Sequence, residues 1–353
     1  MHEKKLLYFY VGKSTFIEKD INIFREEFSV HEFNFHTQKK WKNALLFIHQ
    51  FFFLVRHILS ADILVSQFSG YHSFLPALLS KFTGKPFLIV AGGTDCHSFP
   101  SIGYGNFRKT LLGLFTKWSY NLCKHISPKH SSLWECNYEY DTRDYNKQGI
   151  HAFMPDLQKS ITVIPNGFNS ELYKKKTEKV NRSFLTIAGN LNYPFQAELK
   201  GVDLIRQVAT RFTDCSFTIV GVNAGQFAKG APANIHYINS LPPEELITLY
   251  SSHTFYFQLS IAEGFPNSLC ESMLCECVPI GSSVFSIPEI IGDTGFILLK
   301  RDIALLEDIV KRALESDAPT LGKAARNRIS QNYPLTSRKK EILELCNRLV
   351  EGE

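Results

Sequence analysis

Residues 255–277 constrain this chain more than any other stretch. Phe255-Tyr-Phe-Gln-Leu259 is a run of β-formers without alternation, as for a buried strand, and Glu263-Gly264 then makes a turn. Pro266 fits a first helical turn, and residues 267–277 continue as a helix of small residues with Leu and Met. Strand, glycine turn and helix in that order make the repeating unit of a parallel α/β sheet, because parallel neighbours need a crossover connection. The same punctuation recurs. Apolar runs at 5–11, 28–35, 62–67, 87–91, 124–128, 183–190 and 216–221 give way to turns or helical patterns, so parallel sheets with right-handed crossovers are expected. With 353 residues the chain exceeds what one core covers, which predicts two domains, and the charged, unpatterned residues 174–182 read as the linker between them. Residues 138–151 read as a polar loop, and Asp95 or Thr94 as a possible helix cap.

A turn at the carboxyl edge of such a sheet is an anion site. The first amides of the following helix lack intrahelical partners and the helix dipole is positive there, so a phosphate can sit on Asn267, Ser268 and Leu269. Glu263 and Glu271 repel that phosphate, and their natural partners are hydroxyl groups on either side of it. Hydroxyls flanking a diphosphate describe a sugar nucleotide.

Glu263 and Glu271 with seven residues between them, followed by Pro279-Ile280, Pro288-Glu-Ile-Ile291 and Asp293-Thr-Gly-Phe296, resemble the signature of retaining GT-B glycosyltransferases of the family 4 type, glycosyl transferases group 1. The resemblance implies an α/β fold of the GT-B kind: two Rossmann-like domains with parallel sheets facing a central cleft. Residues 1–176 would bind acceptor, residues 177–334 would bind the nucleotide sugar, and the last helix, 335–353, would pack back on the first domain. It further implies that Glu263 meets the donor sugar, that Glu271 meets the ribose hydroxyls, and that Lys200 neutralises the diphosphate. Around them the donor set comprises Gly12, Asn190, Asn239, Leu241, Gly264, Phe265, Pro266, Asn267, Ser268 and Leu269. Asn190 departs from the family, which commonly has an arginine there; Lys13 from the opposite domain could supply the missing charge.

On the acceptor side the candidate is Gly92-Gly-Thr-Asp-Cys-His97. Its glycines at a strand end let backbone approach a ligand, and Asp95 and His97 could orient a hydroxyl nucleophile or take its proton, so they join Lys200 and Glu263 as catalytic candidates. Gly12-Lys13-Ser14 is not a nucleoside-triphosphate loop, since the glycine needed five residues earlier is Leu7, inside a strand. There is no Asp-x-Asp pair, so neither a metal nor another cofactor is required. The eight cysteines are scattered, without Cys-x-x-Cys, which suits reduced thiols in the cytoplasm.

Charge is unevenly spread. Residues 1–176 hold 22 Lys and Arg against 14 Asp and Glu, while residues 177–353 hold 17 against 20. Residues 36–60 contain Lys39, Lys40, Lys42 and Arg56, Trp41, and an apolar run at 44–55, with no acid. Such a helix suits either an anionic membrane surface, where each cation contributes about 1 kcal/mol, or the core of the sheet. A second acid-free stretch spans 96–134. No apolar run reaches the length of about 18–20 residues that crosses a bilayer, and residues 1–5 do not begin a signal peptide, so the expected location is the cytoplasm, with possible contact at the inner face of the plasma membrane. The expected partners are a nucleotide-sugar donor and a saccharide or lipid-linked acceptor in envelope or exopolysaccharide synthesis, not nucleic acid. Two alternatives stay open: a GT-B epimerase or phosphorylase, and a non-catalytic nucleotide-sugar- or lipid-binding relative.

Overall fold

The computed structural model describes residues 3–37, 43–193 and 195–352; Lys39, Lys40, Trp41 and Lys42 of the expected lipid-facing segment lie outside the described residues. The chain opens with β1 (Lys5–Tyr10), α1 (Thr15–Phe24), β2 (Ser29–Asn34), α2 (Asn43–His57), β3 (Ile63–Gln67), α3 (Tyr71–Thr83), β4 (Phe87–Ala91), α4 (Thr110–Leu122) and β5 (His125–Pro128). A short antiparallel clip, β6 (Cys136–Asn137) with β7 (Lys147–Gln148), and α5 (Ile150–Phe153) precede β8 (Ser160–Ile161). The second half starts with β9 (Val180–Asn190), α6 (Gln196–Leu199), α7 (Val202–Ala209), β10 (Ser216–Val222), β11 (Ile235–Ile238), α8 (Pro243–Ser252) and β12 (His253–Gln258). It continues with α9 (Asn267–Leu274), β13 (Val278–Ser282), α10 (Ile287–Ile291), β14 (Phe296–Leu298), α11 (Ile303–Glu315), α12 (Ala318–Asn332) and α13 (Leu335–Glu351).

Two six-stranded sheets result, ordered β2-β1-β3-β4-β5-β8 and β11-β10-β9-β12-β13-β14, with every pairing in both of them parallel. Helices cover both faces of the first sheet, so β3 and β4 are buried at every position and read as apolar runs. Strand order reverses direction at β1/β3 in the first sheet and at β9/β12 in the second. Such switch points leave a crevice at the carboxyl ends of the strands.

Helix α13 returns from the second half to the first sheet. Its Ile342, Leu343, Leu345, Cys346 and Leu349 share a core with Leu6, Tyr8 and Ile21. The buried Arg338 guanidinium donates to both carboxylate oxygens of Asp20 on α1 at 2.8–3.1 Å and to the Pro165 carbonyl at 3.0 Å. Truncating either partner would strand a buried charge, at a cost of about 3–5 kcal/mol.

Three local expectations change. Residues 180–182 are not linker but the first residues of β9, with Val180 paired to His253 of β12. The polar loop of 138–151 is an arm: Tyr138 and Tyr140 bury in the second sheet's core, and the Tyr138 hydroxyl donates to the Ile261 carbonyl at 2.9 Å. These two tyrosines anchor it, a pattern that the surrounding charges conceal. No helix starts at Thr94 or Asp95, because α4 begins only at Thr110.

Candidate functional site

The second switch point is where β12 leaves the sheet. Gln258 ends the strand, and its amide nitrogen donates to Ser260 Oγ at 2.8 Å and to Glu263 Oε1 at 2.9 Å. Ser260 Oγ donates to the same carboxylate oxygen at 2.8 Å, and Lys200 Nζ completes the set with an ion pair to it. Lys200 reaches Glu263 because Ile261 N–H donates to the Leu199 carbonyl at 2.8 Å and because Gly201, at φ +70°, follows. A Cβ on Gly201 would lie 2.5 Å from the Leu259 carbonyl oxygen, so a side chain there would push the α6–α7 junction that carries the lysine away from the end of β12.

Pro266 precedes α9, which has no side-chain cap, so the first-turn amides of Asn267, Ser268 and Leu269 have no intrahelical acceptor. Asn267 is held by the other sheet's end: Asn166 Nδ2 donates to its Oδ1 at 2.8 Å. Glu271, one turn into α9, accepts from the Tyr250 hydroxyl at 3.4 Å. Burial pushes its carboxyl above the usual range, opposed by Lys19 of α1 and by hydrogen bonds from Tyr173 and Tyr250. Lys19 itself lies 5.6 Å from the Tyr173 ring centroid. The residues 263–271 thus bring one carboxylate to a lysine and the other to two phenols, with the first-turn amides of α9 between them.

Across the seam lies the turn after β4. Asp95 has no exposed surface; it accepts from the backbone N–H of Ser69 at 2.9 Å, of Gly92 and Gly93 at 3.1 Å, and from the Tyr120 hydroxyl at 2.7 Å. These bonds fold the loop on itself. His97 is equally buried, 4.1 Å from the Phe285 ring centroid, and neither ring nitrogen has a hydrogen-bond partner of full geometry among the described residues. Burial drives its pKa down to about 3, with the Glu263 backbone opposing, so the imidazole is neutral and, in this arrangement, poorly matched to accepting a proton near neutrality. Phe285 holds this place with φ +49°, a left-handed backbone that a bulky residue adopts only under constraint. The two turns touch: a Cβ on Gly264 would sit 1.6 Å from the Gly92 carbonyl oxygen.

The remaining predicted residues spread out. Asn190 ends β9, and its side chain caps its own turn by accepting from Asn192 N–H at 3.1 Å. Asn239 and Leu241 follow β11, the edge strand, Asn239 exposed and Leu241 half-buried. Phe265 is buried and stacks 6.4 Å from Phe168. Gly12 is not at this turn: its N–H donates to Asn34 Oδ1 at 2.9 Å, and it faces His36. Lys13 pairs with Glu32 at 3.6 Å, on the β1–β2 side of the first sheet. Among the described residues no group of three or more His, Cys, Asp or Glu could hold a metal ion.

The first switch point holds what the sequence did not suggest. Between the ends of β1 and β3 lies a hollow of about 360 Å³ lined by Val11, Phe35, His36, Phe68, Tyr71 and Leu112, among others, with Thr94 and Asp95 at its wall. Also unforeseen were Gln258, Ser260, Tyr173, Tyr250 and Phe285. Of these, only the polar pair Gln258 and Ser260, closing an otherwise apolar strand just before Glu263, left a trace in the sequence.

Residues 171–334 match the family model of the glycosyl transferases group 1. Among curated proteins, the O-antigen chain mannosyltransferase B of Escherichia coli is 30% identical over 84 residues, which are 24% of this chain and 22% of that protein's length. Sucrose-phosphate synthase from Thermosynechococcus elongatus superposes with a TM-score of 0.75 at 12% identity, covering 99% of this chain and 100% of the other. Anabaena HepE, in its complex with UDP and glucose, gives 0.71 at 14% identity, over 98% and 100%. The fold is that of the GT-B glycosyltransferases: α/β, with two parallel sheets.

Proposed function

Taking a GT-B fold and the group 1 match of its second half as premises, we propose that this protein transfers a sugar from a nucleotide diphosphate donor, a UDP- or GDP-sugar, to a hydroxyl acceptor with retention at the anomeric carbon. The observation that carries this reading is the Glu263 carboxylate held by Lys200, Gln258 and Ser260 beside the uncapped start of α9. A carboxylate whose partners are a flexible cation, an amide and a hydroxyl can exchange them for sugar hydroxyls. In the proposed complex the diphosphate rests on the amides of Asn267 to Leu269 and recruits Lys200, and Glu271 exchanges its tyrosines for ribose hydroxyls. Charge grows on the leaving diphosphate in the transition state, where these dipoles and the recruited lysine would stabilise it. Because Gly92 and Gly264 are in contact, the two turns part to admit donor. No metal has a step in this scheme.

The E. coli mannosyltransferase supports an envelope or exopolysaccharide role with a saccharide or lipid-linked acceptor, and the segment 36–60 would hold the protein at the inner face of the plasma membrane. Among the described residues no helix is long and apolar enough to cross a membrane.

A thermal-shift panel of UDP-, GDP- and ADP-sugars on the wild type and on Glu271→Ala tests the donor site. One nucleotide class is expected to raise Tm in the wild type and to lose most of that effect in the variant. Equal shifts in both proteins would remove Glu271 from the site, and no shift with any donor would overturn the reading.

A further inference from the structure

We propose that α2 and α4 together form a surface that seats on an anionic lipid bilayer. We further propose that the hollow at the first switch point takes the head group of an acceptor carried in that bilayer. The second step rests on the glycosyl-transfer reading above; the first does not.

Helix α2 is apolar on two sides. Leu54 and the following Ile58 bury against the first sheet, which accounts for one side. On the other, Leu45, Ile48, Phe52 and Val55 recur at spacings of three and four and are 47%, 51%, 64% and 55% exposed, with Leu59 at 76% continuing the stripe. Helix α4 adds Leu111, Leu114 and Trp118, each at least 40% exposed. The two helices meet: the Phe47 and Phe115 ring centroids are 5.8 Å apart, and Phe115 also packs on Phe74 of α3 at 5.0 Å. Scattered exposed apolar residues are ordinary, but two helices in contact that each keep an apolar stripe exposed mark a contact surface.

Charge selects the occupant. Between Phe33 and Trp134 the sequence has two acids, Asp62 and Asp95, against eleven lysines and arginines. Asp62 is tied to the Lys5 N–H at 2.7 Å and Asp95 is buried in its loop, so neither offsets the face. Arg56, Arg108 and Lys109 are exposed around it, whereas Lys129 is buried and contributes nothing. A second copy of this chain would oppose one cationic face to another. A bilayer offers anionic head groups to the arginines and an apolar interior to the stripe.

The hollow lies at the edge of that face. Leu112, beside the exposed Leu111, forms part of its wall, and so do Tyr71, which opens α3, and Phe35 and His36, which lead toward α2. A head group at the lipid surface would enter there without its anchor leaving the membrane.

Flotation of the full chain with vesicles of phosphatidylcholine alone and of phosphatidylcholine mixed with phosphatidylglycerol tests the surface. Binding is expected only to the mixed vesicles, falling with added salt. Arg56→Glu and Arg108→Glu should each weaken it about fivefold or more, and Ile48→Ser with Phe52→Ser about tenfold or more, with an unchanged Tm. No flotation at low salt overturns the proposal, as does flotation indifferent to the apolar double variant. A dimer in sedimentation that the same variant dissociates, without vesicle binding, assigns the face to self-association instead. For the acceptor step, turnover with an alkyl glycoside in mixed vesicles is compared with its methyl glycoside. The double variant should lower the first about tenfold and spare the second; equal loss with both removes the membrane-borne acceptor. A donor that fails to shift Tm while flotation persists would count against glycosyl transfer and leave the membrane surface standing.

Discussion

Asp95 and Glu263 end equivalent turns, each just past a central strand of its sheet, and the two turns touch. Their carboxylates are nonetheless opposite in kind. Asp95 is saturated by three backbone N–H groups and a buried phenol and has no surface left. Glu263 is held, among the described residues, by the side chains of Gln258, Ser260 and Lys200 at the seam, with Lys200 as the partner that a bound diphosphate would draw away. A carboxylate bonded to backbone builds a loop; one bonded to movable side chains can serve a ligand. Both are carboxylic acids within a few residues of a strand end, so the partners are what distinguish the two.

The largest effect should come from breaking the scaffold side. Asp95→Ala leaves three amides and the Tyr120 hydroxyl unsatisfied, at a cost of about 3–5 kcal/mol, or a Tm lower by about 10 °C in calorimetry. Glu263→Gln should instead leave Tm nearly unchanged while turnover falls by about a hundredfold, the loss of charge-assisted bonds to the donor. If both variants unfold alike, the contrast fails. Lys200→Ala sharpens it: a charge-assisted bond of about 1.5–3 kcal/mol predicts roughly a ten- to hundredfold slower rate with little change in stability. Gly264→Ala probes the contact itself. Its Cβ cannot coexist with the Gly92 carbonyl, so the two turns should stay apart and small-angle scattering without donor should report a more open molecule.

Near neutrality the smallest effect is in pH. His97, with its pKa lowered to about 3, binds fewer protons folded than unfolded between that value and 6.5. Stability is therefore full above about pH 6.5 and falls as pH drops through that window, by at most about 1.4 kcal/mol per pH unit. His97→Phe should flatten the slope of urea midpoints across that range. An unchanged slope would mean that His97 is not the buried neutral group described.

The fold was largely legible. Runs such as 87–91 are apolar at every position because helices cover both faces of a parallel sheet, and the crossovers follow from chain connectivity. The group 1 match of residues 171–334 covers the stretch where Glu263, Glu271 and Lys200 stand in recognisable local order. What remained illegible depends on partners distant in sequence. The arm of Tyr138 and Tyr140 looks like a polar loop until the second sheet's core receives it. Asp95 and His97 read as reactive groups because burial and saturation are not written in their neighbours.

Sequence by itself therefore determined the alternation of strands and helices, the two sheets and the chemistry available at the Glu263 turn, since these follow from local periodicity and from residues within one turn of each other. Tertiary structure alone decided which acid is spent on its own loop, that Gly12 is tied to Asn34 at the end of β2 and not set at the Glu263 turn, and that α2 keeps an apolar stripe exposed. Those outcomes depend on which surfaces meet across the chain, and a short sequence window carries no record of that.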